Sequence, residues 1–157
     1  MKNIFTDEEF NKVKITAEEA YEKIGDVRCP FLGGTVAFNV KGLNHLKLKR
    51  WNHAREQKDQ WVRLKLLHLA PEVLKKSNTL QGFDEVRKLE RIKVNSRWEM
   101  KAVTVVYYEF ISVLQGCRLR IIVKKIGDGP PYFWSIVPYW KQGAYKKKLF
   151  DGDPEID

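Results

Sequence analysis

Hydrophobic positions near the start of the chain recur with the spacing of helices. The pattern predicts two short helical segments, Phe5–Ile15 and Thr16–Ile24. Thr16-Ala17-Glu18-Glu19 has the form of a capping box, with a hydroxyl at the start and a glutamate three positions later. Gly25 follows as a stop. We therefore expect a helical N-terminal extension, residues 1–26, packed on the rest of the protein.

The next part of the chain combines one short strand with a long helical stretch. Thr35–Val40 is rich in β-formers and predicts a strand. The segment from Leu43 to Lys76 is predicted to be helical, with a break at Ala70-Pro71 and a fresh start at Pro71, a residue suited to the first turn of a helix.

From Leu80 onward the pattern changes to that of strands. Strands are predicted over Val86–Val94, Val103–Leu114, Cys117–Ile126 and Tyr132–Trp140. Gln115-Gly116 predicts a tight hairpin. Helices followed by a run of strands indicate an α+β fold, with the N-terminal helices packed on one face of a four- to five-stranded antiparallel sheet.

Charge is distributed unevenly along the 157 residues. The whole chain carries 29 basic and 20 acidic residues, but residues 27–150 hold 25 basic against 9 acidic residues. We interpret 27–150 as one basic domain and 151–157 as an acidic tail. Such an excess of positive charge favours a polyanionic partner, above all nucleic acid, although solubility alone would also explain it. The acidic flanks could dock on the basic surface as weak internal competitors, or could simply be solvated.

Several classes of protein are disfavoured by the sequence. No stretch approaches 18 uninterrupted apolar residues, and the N-terminus lacks the apolar region of a secretory signal, so a cytoplasmic protein without a membrane span is expected. The two cysteines, Cys29 and Cys117, are too few for a disulfide scaffold or a zinc ribbon. Glycine-rich phosphate loops and zinc motifs are absent from the sequence, so we expect no metal and no cofactor.

One arrangement of elements resembles a known family. In Val36–His45 a strand turns into a helix that carries a histidine in its first turns, Arg55 and Arg63 follow, and Tyr132–Tyr139 forms the last strand. This order resembles the small ribonucleases of the barnase–EndoU–colicin–RelE superfamily, in particular the phage-associated nuclease-like branch. The resemblance implies that residues 27–150 form a nuclease-like domain that cleaves RNA without metal, often as a toxin or conflict-system effector. It also implies that the partners are RNA and a possible cognate inhibitor protein.

His45 is the best-placed candidate for proton transfer. Cleavage by the 2′-hydroxyl needs a base, cations around the phosphorane and an acid, and histidine suits either proton-transfer role near neutral pH. An ordinary helix histidine, on the surface or partly satisfied, is the alternative interpretation; for His53 and His68 the ordinary role is favoured, with His68 expected in the core. Candidate nucleic-acid contacts near His45 and on the last strand are Lys47, Lys49, Arg50, Tyr139 and Lys141.

Arg55 and Arg63 are the candidate phosphate clamps because a guanidinium matches phosphate oxygens two at a time. A continuous helix would align them only loosely, and a break near Gln57-to-Gln60 would correct their alignment. The resemblance adds Ser135 on the last strand as a hydroxyl that contacts the scissile phosphate. Each of these residues could instead be ion-paired or neutral filler.

Two other functions stay open from the sequence. A non-catalytic basic module could bind nucleic acid or a nucleic-acid-handling protein, as an inhibitor does. A protein-binding module could instead expose an aromatic patch formed by Tyr107, Tyr108, Trp134 and Trp140. Convergence of His45, Arg55 and Ser135 in one basic cleft would favour the nuclease over both. The sequence does not indicate the RNA substrate or the oligomeric state.

Overall fold

A computed structural model describes residues 5–49, 53–138 and 153–157, and it has the expected α+β architecture. The helical elements are α1 (Asp7–Glu22), α2 (Val40–Lys47), α3 (Gln57–Leu66), a 3-10 turn (Leu67–Leu69) and α4 (Ala70–Lys75). The strands are β1 (Asp26–Cys29), β2 (Gly34–Ala37), β3 (Leu48–Lys49), β4 (His53–Ala54), β5 (Gly82–Val94), β6 (Arg97–Leu114), β7 (Cys117–Ile126) and β8 (Tyr132–Pro138).

The main sheet is larger than predicted, and it is mixed rather than antiparallel. Its six strands run in the order β1-β2-β8-β7-β6-β5. The expected meander β5 to β8 is antiparallel, but β2 joins β8 in parallel through the single pair Ala37↔Tyr132. The prediction missed β1, whose four residues are too short for a clear alternation, and so missed the hairpin that extends the sheet.

The N-terminal helix is one element, not two. Thr6 caps α1 and forms the capping box with Glu9, and each side chain bonds the main-chain N–H of the other residue. Thr16 therefore lies inside a continuous helix, and its similar motif is not a start. Side chains from α1 contribute to the core, where Tyr21 is buried and packs against Phe133.

The predicted helix from Leu43 to Lys76 is interrupted. Helix α2 ends at Lys47, and the chain reverses through the short β3–β4 ladder, which pairs Leu48 with Ala54 and Lys49 with His53. Helix α3 begins only at Gln57. The fresh start at Pro71 is confirmed, since Pro71 lies in the first turn of α4.

The helices cover one face of the sheet. The main core joins residues of all four helices to residues of the sheet such as Phe110, Leu119, Ile121 and Phe133. A smaller cluster on the opposite face contains Val105, Tyr107, Ile122 and Val137. Within the described ranges, no helix is both long enough and apolar enough to cross a membrane.

Candidate functional site

A β-bulge on the last strand directs two consecutive side chains toward the same face. Ile122 of β7 pairs with Ser135, whereas the next residue, Val123, pairs with Phe133, so Trp134 is the extra residue of β8. A bulge of this kind redirects side chains that would otherwise alternate. Trp134 and Ser135 thus both contact the segment Asp153–Asp157, through Pro154 and Asp157 respectively.

Helix α2 lies very close to β8 because residue 42 is glycine. A methyl group added at Gly42 would overlap the main-chain oxygen of Phe133 and come within 2.8 Å of the Tyr21 hydroxyl oxygen. Asn39 caps the helix, and its side chain accepts from the main-chain N–H of Lys41 at 3.1 Å. This close approach places His45 against the strand.

His45 stacks on Trp134 with ring centroids 3.9 Å apart and planes inclined by 17°. Its side chain is almost fully buried, with 6% of the residue exposed. The β3–β4 reversal then brings Arg55 back to the end of α2, where Arg55 Nε donates to the His45 main-chain oxygen at 2.9 Å. Arg55 thereby satisfies a carbonyl that the last turn of the helix leaves without an internal partner.

The same guanidinium reaches the His45 ring. Arg55 Nη2 lies 3.1 Å from His45 Nε2. Because a guanidinium can only donate, Nε2 must accept, and the proton of the neutral ring is therefore on Nδ1. His45 and Arg55 meet through a chain reversal, which interrupts the helical segment predicted from Leu43 to Lys76.

Arg63 and Ser135 form the second half of the cluster. Arg63 Nη1 donates to Ser135 Oγ at 2.7 Å, and Arg63 is fully buried. Asp59 links the two arginines, with Oδ1 2.6 Å from Arg63 Nε and Oδ2 3.6 Å from Arg55 Nη1. We call His45, Arg55, Arg63 and Ser135 the four-residue cluster; the structure brings all four predicted catalytic residues together.

The positive charge of the cluster changes the pKa values of its own members. Burial, and after it nearby positive charges, together lower the pKa of His45 from 6.5 to about 2. Those charges are Arg55, Arg63 and Lys124. Burial and then Arg63 lower the pKa of Arg55 to about 10, so Arg55 stays protonated at neutral pH. The imidazole is therefore neutral beside two charged guanidinium groups.

Important neighbours of the cluster were missed from the sequence. Asp59 stands four residues after Arg55 and four before Arg63, a spacing that signals ion pairs on a helix. Lys124 has 3% of its surface exposed, and its Nζ lies 4.1 Å from the centre of the Trp134 ring. The place of Lys124 in the alternating pattern of its strand fits a solvated lysine equally well. The sequence therefore does not indicate that this lysine is buried.

The structure describes two of the five predicted nucleic-acid contacts, Lys47 and Lys49. Lys47 forms an ion pair with Glu18 of α1 at 2.9 Å, and Lys49 is half-buried in β3. Arg50, Tyr139 and Lys141 fall outside the described residues.

One expectation about another side chain is wrong, because His68 is exposed and not in the core. Of the aromatic patch suggested for a protein-binding module, Tyr107 is fully buried and the Trp134 ring stacks on His45. Tyr108 is half-buried, and Trp140 lies outside the described residues.

The described residues contain no group of histidine, cysteine or carboxylate side chains arranged to hold a metal ion. A scan against protein-family models, a search of the curated proteins and a search of the solved structures each find no match. Function must therefore be inferred from the geometry of the cluster and its surroundings.

Proposed function

We propose that this protein is a metal-independent endoribonuclease whose reaction centre is the four-residue cluster. In this reaction the 2′-oxygen of RNA forms a bond to the adjacent phosphorus while the bond from phosphorus to the 5′-oxygen breaks. The proton of the 2′-hydroxyl passes to an imidazole, and the leaving 5′-oxygen takes a proton from solvent. The products are a 2′,3′-cyclic phosphate and a 5′-hydroxyl end.

Convergence is the observation that carries the proposal. The four residues come from separate elements: His45 from α2, Arg55 from the residues before α3, Arg63 from α3 and Ser135 from β8. A hydrogen bond of 3.1 Å joins Arg55 to His45, and one of 2.7 Å joins Arg63 to Ser135. Asp59 contacts both arginines and so links the two pairs. A base, two guanidinium groups and a hydroxyl are what phosphodiester cleavage without metal requires. Preorganised cations at a buried site stabilise developing negative charge strongly because they need no reorganisation.

Each member of the cluster has a defined role in the proposal. Arg55 and Arg63 hold the non-bridging phosphate oxygens, and Ser135 donates its hydroxyl to the same group. His45 is neutral, as a base must be, and a bound phosphate would offset the neighbouring guanidinium charges and raise the pKa of the ring. Phosphate would also draw Arg55 away from Nε2, which would leave that lone pair available for the 2′-hydroxyl proton.

A non-catalytic nucleic-acid-binding module is the second candidate, and one observation favours it. In this structure His45 Nε2 already accepts from Arg55, and Arg63 has no exposed surface. If these bonds persist when RNA binds, the cluster stabilises the fold, and the basic surface binds RNA without cleaving it. The two candidates therefore differ in whether His45 is needed for a chemical step.

Cleavage of an unstructured RNA in the presence of a chelator separates the candidates. We expect the full chain to release 2′,3′-cyclic phosphate ends, and His45→Gln to lower the rate by about 100-fold or more, the usual contribution of a general base. His68→Gln, which removes an exposed histidine outside the cluster, is the matched control and should cleave normally. RNA binding without cleavage by the wild-type chain would select the binding module.

A further inference from the structure

The acidic segment Asp153–Asp157 lies across the four-residue cluster. Its main-chain oxygens accept from the groups that would hold a phosphate: Ile156 O accepts from Arg55 Nη2 at 2.6 Å, and Asp157 O accepts from Ser135 Oγ at 2.6 Å and from Arg63. These bonds use the main chain and do not depend on the side chains of the segment. Main-chain oxygens of the segment thus accept from the same donors that the proposed reaction assigns to phosphate oxygens.

Glu155 brings the charge of its side chain into an anion site formed by two lysines and a tyrosine. Its carboxylate lies 2.8 Å from Lys124 Nζ and 3.3 Å from Lys88 Nζ, and it also accepts from the Tyr107 hydroxyl. Lys88 Nζ in turn lies 3.0 Å from the Tyr107 hydroxyl oxygen. Lys124 and Tyr107 are buried, so this arrangement of donors does not depend on mobile surface side chains.

The electrostatics of this site favour an anion over a neutral group. Burial alone would raise the pKa of Glu155, but Lys124, Tyr107 and Lys88 outweigh burial and hold the pKa below its ordinary value. Burial, followed by the bond to Glu155, raises the pKa of Tyr107, so its hydroxyl remains a donor. Two lysines and a hydroxyl face the Glu155 carboxylate, and Glu90 contributes a second negative charge near Tyr107.

We propose that Lys88, Tyr107 and Lys124 form a second phosphate-binding subsite for nucleic acid, and that Glu155 occupies it as an intramolecular competitor. This inference rests on the proposed function, since it assigns the subsite to the same RNA ligand. The subsite would hold the phosphate next to the one cleaved, while the four-residue cluster holds the scissile group.

The placement of the segment supports two neighbouring phosphates. Glu155 and Asp157 are two residues apart, so their Cα atoms are at most about 7 Å apart, and one short segment contacts both the proposed subsite and the four-residue cluster. A cleft of about 630 Å³ borders His45, Trp134 and Glu155 and continues to Lys41 and Asn44. This volume is within the range of pockets that hold small ligands, so a nucleotide can be accommodated beside the two anion positions.

Binding of an uncleavable RNA tests the competitor directly. We would measure the affinity of a fluorescent 2′-O-methyl RNA oligonucleotide, which lacks the attacking hydroxyl, for the full chain and for Glu155→Gln. Removing the carboxylate should weaken docking of the segment and tighten RNA binding about tenfold. Glu72→Gln is the matched control, because it makes the same change in net charge on the exposed surface of α4.

A double variant shows whether Glu155 acts through the proposed subsite. In a Lys124→Met background, Glu155→Gln should tighten RNA binding less than in the wild type, because the carboxylate has lost its shortest lysine contact. The subsite would be overturned if Glu155→Gln tightened RNA binding equally in both backgrounds. It would also be overturned if Glu72→Gln tightened RNA binding as much as Glu155→Gln does. If Glu155→Gln bound RNA with the same affinity as the wild type, the claim that Glu155 competes with RNA would be overturned. The nuclease proposal would stay intact.

A second measurement does not depend on RNA. The Trp134 indole N–H donates to Pro154 O at 3.0 Å, so its NMR signal reports whether the segment is docked. Pyrophosphate should shift this signal in the wild-type chain, and Lys88→Met should raise the pyrophosphate concentration that is required. A shift with pyrophosphate in a protein that binds no RNA would support the anion site and refute the RNA function. No shift with pyrophosphate would overturn the inference.

Discussion

Burial of a neutral imidazole among cations makes the stability of this fold depend on pH in a definite direction. An unfolded His45 binds a proton near pH 6.5, whereas the folded ring binds one only near pH 2. Between these values the unfolded state holds one more proton than the folded state, so the free energy of unfolding falls as pH falls. The slope for one proton is about 1.4 kcal/mol per pH unit.

The magnitude follows from the two pKa values. Between pH 7.5 and pH 4.5, His45 should remove about 2–3 kcal/mol of stability from the wild type, because about two units of that interval lie below the unfolded pKa. His45→Gln cannot titrate and should lack this loss. The groups that face the ring are Arg55, Arg63, Lys124 and the main chain of Asp157, of which only Asp157 favours protonation.

Urea unfolding of the wild type and of His45→Gln at several pH values measures the difference. The measurement gives the free energy of unfolding against pH for each protein. Subtracting the curve of His45→Gln from that of the wild type removes the contributions of carboxylates that titrate in both proteins. His68→Gln removes a histidine outside the cluster and serves as the control variant. Parallel curves for the wild type and His45→Gln would refute the account of a buried neutral imidazole. If His45→Gln does not fold, an NMR titration of the wild-type His45 ring gives the same test, and a midpoint near 6.5 would refute it.

Three further predictions concern the elements that hold the site. Gly42→Ala should destabilise the fold by about 1–3 kcal/mol in thermal unfolding because the added methyl meets the backbone of β8. At Gly34 a methyl meets open space, so Gly34→Ala should cost much less stability. Equal effects of the two variants would contradict the close approach of α2 to β8. Asp59→Asn should cost about 3 kcal/mol in urea unfolding because it leaves buried guanidinium groups without their carboxylate, and a change below 1 kcal/mol would contradict that role. Lys124→Met should lower the salt slope of RNA binding by about 0.7, the value for one phosphate of a single strand; an unchanged slope would show that Lys124 contacts no phosphate.

The sequence indicated four residues that the structure brings together, but by an incorrect structural route. Arg55 was placed on a helix shared with His45, but the two meet because the chain reverses between α2 and α3. The two-residue strands that make this reversal are too short for a period of two to be seen. Three of their four residues, Leu48, Lys49 and Ala54, are also good helix formers.

Other features depend on tertiary contacts that a linear pattern does not contain. The bulge that directs both Trp134 and Ser135 toward the segment Asp153–Asp157 breaks the alternation from which the strand was predicted. The mixed sheet depends on the single pair Ala37↔Tyr132, which joins residues far apart in the chain. Charge asymmetry, in contrast, was visible directly, and it indicated that the acidic segment could dock on the basic surface.

The most direct test of the central claim is the appearance of 2′,3′-cyclic phosphate ends on RNA incubated with the full chain and a chelator. We expect these ends to form with the wild type, to form faster with Glu155→Gln, and to be nearly absent with His45→Gln. RNA that stays intact with both the wild type and Glu155→Gln, or equal cleavage by His45→Gln, would contradict the assignment of the four-residue cluster as a reaction centre.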